Sequence, residues 1–234
     1  LAFTEQVTRE MALAGWRVIF GMLALFGIIV LAAVWRYLPE TRPMGNITSA
    51  GIGPALRVYG VLLRDRRFLG YTLSGGFASA GMFAYITGSP QVFITLYGVP
   101  AQDYGWLFGL NALGLIAGSQ YNRRLLLRHS ADTILRRANR ATVILGLVLV
   151  VMAVSGRGGL PGLLIPLFGY LVTLGFTGPN TVASALAHQG MRAGSASALI
   201  GTLQFGIATL SSATVGLLGN KSALPMTAVI AGCG

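Results

Sequence analysis

Residues 18–38 read VIFGMLALFGIIVLAAVWRYL, a run whose one charged side chain, Arg36, stands near its far end. At about 1.5 Å rise per residue, such a run covers a hydrocarbon core of about 30 Å. No period-2 alternation interrupts it, so it predicts a membrane-crossing helix rather than a strand.

Blocks of the same kind recur at Phe68–Ser89, Tyr104–Tyr121, Ala141–Gly156, Leu160–Gly178 and Gly194–Gly219, with a partial one at Pro225–Gly234. The expectation is six crossings and the start of a seventh. Pro39 is expected to stop the first, Ser89-Pro90 the second, Gly156 to Pro161 to separate the fourth from the fifth, and Pro179 to end the fifth. Composition agrees with membrane burial: 54% of the 234 residues are hydrophobic and 10% charged, where soluble domains carry about 25%. Mean hydropathy is +0.69. Glycine is abundant, 33 residues in all, which suits helices packed closely on helices and not an outer-membrane barrel. The fold class is an all-α polytopic membrane protein.

Seventeen basic residues stand against six acidic ones, a formal charge of +11. On a soluble chain that excess would suggest nucleic acid. Here the arginines fall in the gaps between apolar blocks, the pattern of cytoplasmic loops facing anionic lipid, and no nucleic-acid partner is expected. Residues 36–67, 122–140 and 179–194 lie on one face and hold thirteen of the basic residues; Arg9, Arg17, Arg157 and Lys221 are the four on the other. The first face is therefore read as cytoplasmic and the chain as beginning outside. Cys233 is the single cysteine, so no intrachain disulfide is expected.

Residues 1–15, with Glu5, Arg9 and Glu10, do not read as a span. With no initiator Met and a short last block, the expectation is a fragment of a longer chain. Three parts are expected: 1–38 as an N-terminal segment and one helix, 39–67 as a cytoplasmic linker, and 68–234 as a helical bundle with a truncated last helix. Within the linker, residues 39–54 are rich in Pro, Gly, Asn and Ser. Residues 55–67 place Leu56, Tyr59 and Leu63 on one helical face and Arg57 and Arg64 on another, which suits an interfacial helix; a solvated linker is the other reading.

A charge at mid-bilayer usually marks an ion or proton site. No Asp, Glu, Lys or His falls in the middle of a predicted span; Asp103 and Arg36 sit at span ends, His129 and His188 in loops. Uncharged polar residues take defined faces instead. Ser197, Gln204 and Ser211 recur every seven residues, Tyr71, Ser74, Ala78, Gly81 and Tyr85 follow helical spacing, and Asn111 lies between Gly105-x3-Gly109 and Gly114-x3-Gly118. Such positions either let helices approach and hydrogen-bond or face a wet cavity. Gly194-Ser195-Ala196-Ser197 offers a serine in a glycine-flanked turn, but no later span supplies the base a nucleophile needs. Neither a lipase elbow, a phosphate loop nor paired metal ligands occur. No catalytic residue, cofactor or metal is expected, and the chain does not read as an enzyme.

Gly15-Trp16-Arg17-Val18-Ile19-Phe20, opening a span that closes with Leu38-Pro39-Glu40-Thr41, resembles the sixth helix of major facilitator superfamily drug transporters. Three further stretches resemble the bicyclomycin-resistance (Bcr/CflA) branch of drug:proton antiporters. They are Tyr85-Ile86-Thr87-Gly88-Ser89-Pro90 with Val92-Phe93; Phe108-Gly109-Leu110-Asn111-Ala112 running to Gly118-Ser119-Gln120-Tyr121-Asn122-Arg123-Arg124; and Ala193-Gly194-Ser195-Ala196-Ser197-Ala198 through Gly201-Thr202-Leu203-Gln204-Phe205. The resemblance implies a major facilitator helical bundle, here the last helix of the N-terminal half and most of the C-terminal half, working by alternating access. It further implies that residues 118–128 echo a cytoplasmic gating loop, with Asn122 where the general motif has Asp, followed by Arg123 and Arg124. The proton-coupling carboxylate and the missing N-terminal half would lie outside this sequence, and the segment before Gly15 departs from the family pattern.

The expected function is export of small drugs or metabolites by proton antiport across the bacterial inner membrane, with a small-molecule substrate, protons and membrane lipids as partners. Tyr71, Ser74, Phe77, Tyr85, Asn111 and Gln204 are expected to line the substrate cavity. Two alternatives stay open: a physiological solute such as a sugar or amino-acid derivative on the same fold, and an inactive truncated chain.

Overall fold

The computed structural model describes residues 2–39, 52–219 and 222–234. The chain forms two units, residues 1–50 and 51–234. Among its described residues the first unit is one helix, α1 (Ala2–Tyr37). Its backbone is already helical at Ala2, so the segment that does not read as a span continues the same helix.

The second unit is a bundle of α2 (Ile52–Leu62), α3 (Arg66–Pro90), α4 (Ala101–Leu125), α5 (Ala131–Ser155), α6 (Gly159–Leu186), α7 (Ala193–Leu217) and α8 (Leu224–Gly232). Among the described residues, α1 from Arg17, α5, α6 and α7 are long and apolar enough to cross a membrane. Helices α3 and α4 have 25 residues each, long enough, but are less apolar. Helix α5 shows the inverted amphipathicity of a membrane helix. Ile144, Leu147, Val151 and Val154 form an outward stripe, 58–70% exposed, while Thr142 and Gly146 are buried inside.

Three expected boundaries are corrected by side-chain chemistry. Helix α6 runs through Pro166 and Pro179 to Leu186, because polar side chains near Pro179 bond the local carbonyls and neighbouring helices hold the segment. Helix α3 does not stop at Ser89-Pro90 but continues as a π-helical turn, Gln91–Leu96. Pro90 cannot donate, and the bonding shifts so that the Tyr97 N–H reaches the Val92 carbonyl at 3.1 Å. Helix α5 begins ten residues before the apolar block, where the Ser130 Oγ accepts from the Thr133 N–H at 3.4 Å. Its arginine-bearing first turns extend beyond the apolar stretch. The predicted stop at Gly156 is observed, with a left-handed φ of 63° closing α5.

The expected interfacial helix ends at Leu62, and its inward face is displaced by one position. Leu62 is buried with Phe68, Ala185, Ala196, Leu199 and Ile200, and Val58 and Tyr59 pack beside it. Leu56 and Leu63 are exposed. Residues 40–51 of the expected linker lie outside the described residues.

Helix α3 is the central element, packed on α6, α7 and α8, while α4 rests on α6, and α5 on α6 and α8. Close crossings account for some of the glycines. A Cβ on Gly118 would run into the Val172 carbonyl, and one on Gly175 into the Leu115 carbonyl of α4. The Tyr170 ring is fully buried with its hydroxyl against Gly81 and no hydrogen-bond partner among the described residues. Ser211 ties α7 to α3 by donating to the Ala80 carbonyl at 2.8 Å.

Candidate functional site

Helices α3, α4, α6 and α7 surround an open cavity of about 730 Å³, a size that suits a drug-like molecule. Helix α3 contributes Gly75, Ala78, Ser79 and Met82, and α4 contributes Leu115, Ile116 and Ser119. Helix α6 presents Gly175, Gly178, Pro179 and Val182, and α7 presents Gln204. No lining residue is charged or aromatic; the polar side chains are Ser79, Ser119 and Gln204. Gly75 makes room for Gln204: a Cβ at Gly75 would stand 2.7 Å from the Gln204 Nε2 and 2.8 Å from the Thr181 Oγ1. The Thr181 hydroxyl is committed to the carbonyls of Thr177 and Gly178. The cavity thus offers an apolar wall with one amide on one side, suited to holding an uncharged, mostly apolar molecule.

Of the six residues expected to line a substrate cavity, Gln204 borders this one, and the structure places the others elsewhere. Asn111 and Tyr85 are both buried, with the Asn111 Nδ2 donating to the Tyr85 hydroxyl at 3.1 Å. The Tyr85 ring stacks on Phe108 at 5.6 Å. This pair satisfies two polar groups between α3 and α4. Ser74 and Phe77 border a smaller cavity of about 230 Å³ beside α5, together with Asn139, Thr142 and Thr177. There the Asn139 Nδ2 donates to the Ser74 Oγ at 3.0 Å, and the hydroxyls of Thr142 and Thr173 lie 2.8 Å apart. The Tyr71 hydroxyl donates to the Asp132 carboxylate at 2.7 Å, at the arginine-rich end.

The expected gating residues separate in the same way. Asn122 is buried and accepts from the Asn180 Nδ2 at 2.8 Å, joining the end of α4 to α6 beside Pro179. Arg123 and Arg124 border a recess of about 750 Å³ with Gln120 and Tyr121. Sequence reasoning missed Ser79, Ser119 and Pro179. A single helix's pattern carries little signal for them, because small hydroxyls and prolines also serve packing.

The same end carries a second cap. Asp65 precedes α3 and accepts from the N–H groups of Arg67 at 2.9 Å and Phe68 at 3.2 Å. Its other oxygen accepts from the Gln189 Nε2 at 3.2 Å, across from the α6–α7 connection. The Phe68 N–H is the largest influence lowering its pKa below the ordinary carboxylate value; the Arg67 N–H and the Gln189 amide add to it, while desolvation opposes. A lowered folded pKa means that this cap is fully present above the unfolded carboxylate value of about 3.9 and is lost as pH falls through the folded value. Protection factors of the Arg67 and Phe68 amides, taken against intrinsic exchange at each pH, are therefore expected to be highest near pH 6 and to fall on acidification below about pH 4. Asp65→Asn should remove most of that pH dependence.

Among the described residues, no group of His, Cys, Asp and Glu could hold a metal ion. Residues 11–212 match the sequence profile of the Major Facilitator Superfamily. The chain is 36% identical over 217 residues to an uncharacterized MFS-type transporter, YdgK, of Bacillus subtilis, covering 93% of this chain and 54% of that protein. It is 30% identical over 224 residues to a bicyclomycin resistance protein homolog of Haemophilus influenzae, again 93% and 54%. A multidrug transporter, MdfA, of Edwardsiella piscicida is 30% identical over 122 residues, covering 47% of this chain and 29% of that protein. The chain thus spans about half the length of the first two relatives.

Proposed function

Because this chain belongs to the major facilitator superfamily, we propose that it supplies the second-half bundle, and the last helix of the first half, of a secondary transporter that exports small, mostly apolar drugs or metabolites. Its apolar helices and its relatives make it a multi-pass protein of the bacterial inner membrane. On this reading the transporter works by alternating access around the cavity and exchanges cargo for protons, with the proton carrier in helices beyond these residues. Residues 39–67 are the cytoplasmic connection between the halves, and Arg123 and Arg124 help hold the inward side closed.

One observation supports the cargo class above all: the cavity of about 730 Å³ has no charged lining residue and one flexible amide, Gln204. A sugar would leave many hydroxyls facing Leu115, Ile116, Leu174 and Val182 without partners, so apolar cargo suits this wall better.

The test is efflux of a neutral fluorescent dye from cells expressing the full-length protein. Gln204→Leu is expected to lower export several-fold with normal protein levels; unchanged export would remove Gln204 from the cargo site. An uncoupler should stop export in the unaltered protein. Export that persists without the gradient would rule out antiport.

A further inference from the structure

Pro179 lies on the cavity face of α6 and changes the backbone chemistry there. Proline has no N–H, so the carbonyl four residues back, on Gly175, loses the donor that an α-helix normally supplies. Side chains bond the other carbonyls of this stretch. Asn180 donates to Phe176 at 2.9 Å, Thr181 to Thr177 and Gly178 at 2.9 Å each, and Thr177 to Thr173 at 3.2 Å. None of these donors serves Gly175.

A helical carbonyl points along the axis toward residue i+4. Gly175 and Pro179 both border the cavity, which puts the residue that loses its donor and the proline that withholds it on the same wall. An acceptor left without a donor at membrane depth is costly, and backbone of this kind is tolerated where it borders a cavity. Helix α6 is fixed in place at this level, since the Gly175 α carbon sits against the Leu115 carbonyl and the Ser119 N–H of α4. Gln204 lies across the same cavity and makes no hydrogen bond among the described residues. With no charged lining residue, a cationic donor would find no counter-charge in this wall.

Resting on the export reading above, we propose that the Gly175 carbonyl is a hydrogen-bond acceptor of the cargo site, and that it selects neutral apolar molecules carrying a hydroxyl or amide N–H donor. Pro179 acts as a specificity-determining residue by withholding the helix's own donor. The Gln204 amide, which both donates and accepts, completes the recognition of such a group.

The probes are 1-hydroxypyrene and 1-methoxypyrene, which differ by one donor, titrated by fluorescence anisotropy against the purified full-length transporter at pH 7. The hydroxy compound is expected to bind about fivefold tighter, the worth of one net hydrogen bond. In Pro179→Ala the restored N–H occupies the carbonyl, and the ratio should fall to about one, the lost ring changing the affinity of both probes alike. Pro179→Leu restores the same N–H and should give the same ratio. A ratio near one in the unaltered protein, a ratio retained in both variants, or loss of both ligands in both variants overturns the carbonyl assignment. Failure of the folded, unaltered protein to bind either pyrene would instead overturn the apolar-cargo reading on which it rests.

Discussion

Gly118→Val is expected to leave almost no folded protein in detergent extracts, assayed by size-exclusion profile and thermal unfolding. The first added carbon would meet the Val172 carbonyl of α6, and a second wall of the same crossing is the Leu115 carbonyl against Gly175. Backbone faces backbone here, so no side chain can rotate away and the helices must separate. Overpacking typically costs about 1–3 kcal/mol and more where nothing yields, out of a total stability of about 5–15 kcal/mol. Separation would also strain the Asn122–Asn180 bond one turn further along, leaving the buried Asn122 oxygen without that donor. Gly109→Ala, on the same helix, is the control: nothing lies within 4 Å of its added carbon. It should fold normally and gain slightly, since Ala exceeds Gly in helix interiors by about 0.5–1 kcal/mol. A Gly118→Val protein as stable as that control would refute the close crossing.

Gly75→Val is expected to do the opposite, removing the site while most of the protein still folds. Its added carbon meets the Gln204 Nε2 at 2.7 Å and the Thr181 Oγ1 at 2.8 Å, with the Thr181 Cβ further off at 3.4 Å. Gln204, the end of a flexible side chain, can swing aside at modest cost, while the buried Thr181 hydroxyl, held by the Thr177 and Gly178 carbonyls, must shift as well and costs some stability. The valine methyl groups then fill the cavity at its amide-bearing corner. Dye binding and export should fall by about tenfold or more, while the protein still folds, with an unfolding temperature lowered far less than in Gly118→Val. Gly201→Ala, on α7 with open space around it, should change neither. If Gly75→Val exports normally, the cavity between α3, α4, α6 and α7 is not the cargo route.

The helices were legible because each apolar block is long enough to cross a bilayer and ends in residues with a local physical meaning. Gly156 is an example: only a residue without a Cβ adopts φ 63° at no cost. Pro179 was misread by the same local logic. Its missing hydrogen bond is a local fact, but whether the helix ends there depends on Asn180 and Thr181 bonding nearby carbonyls and on α4 lying against Gly175. Pro90 shows the intermediate outcome, in which the helix continues with a wider turn.

The site was legible in kind and only partly in place. That uncharged residues would face the interior followed from the absence of acids and lysines at mid-span. Which face of α3 turns toward α7 did not. Tyr71, Ser74, Phe77 and Tyr85 were grouped with Gln204, yet the cavity takes Gly75, Ala78, Ser79 and Met82 from that helix, and the polar stripe turns to α5 and α4. Spacing along one chain relates residues within a helix, since the backbone repeats every 3.6 residues. Rotation of that helix about its axis depends on its partners, here the Tyr170 hydroxyl against Gly81 and Ile207 against Gly76. Membrane residence, the order of the apolar helices, the arginine-rich end and the family were thus readable from residue order, because transfer free energy, charge placement and motif identity are local properties. The cavity, the continuation of α6 and the pairing of Asn111 with Tyr85 and Asn122 with Asn180 came from packing, because each depends on atoms tens of residues apart being brought within 4 Å.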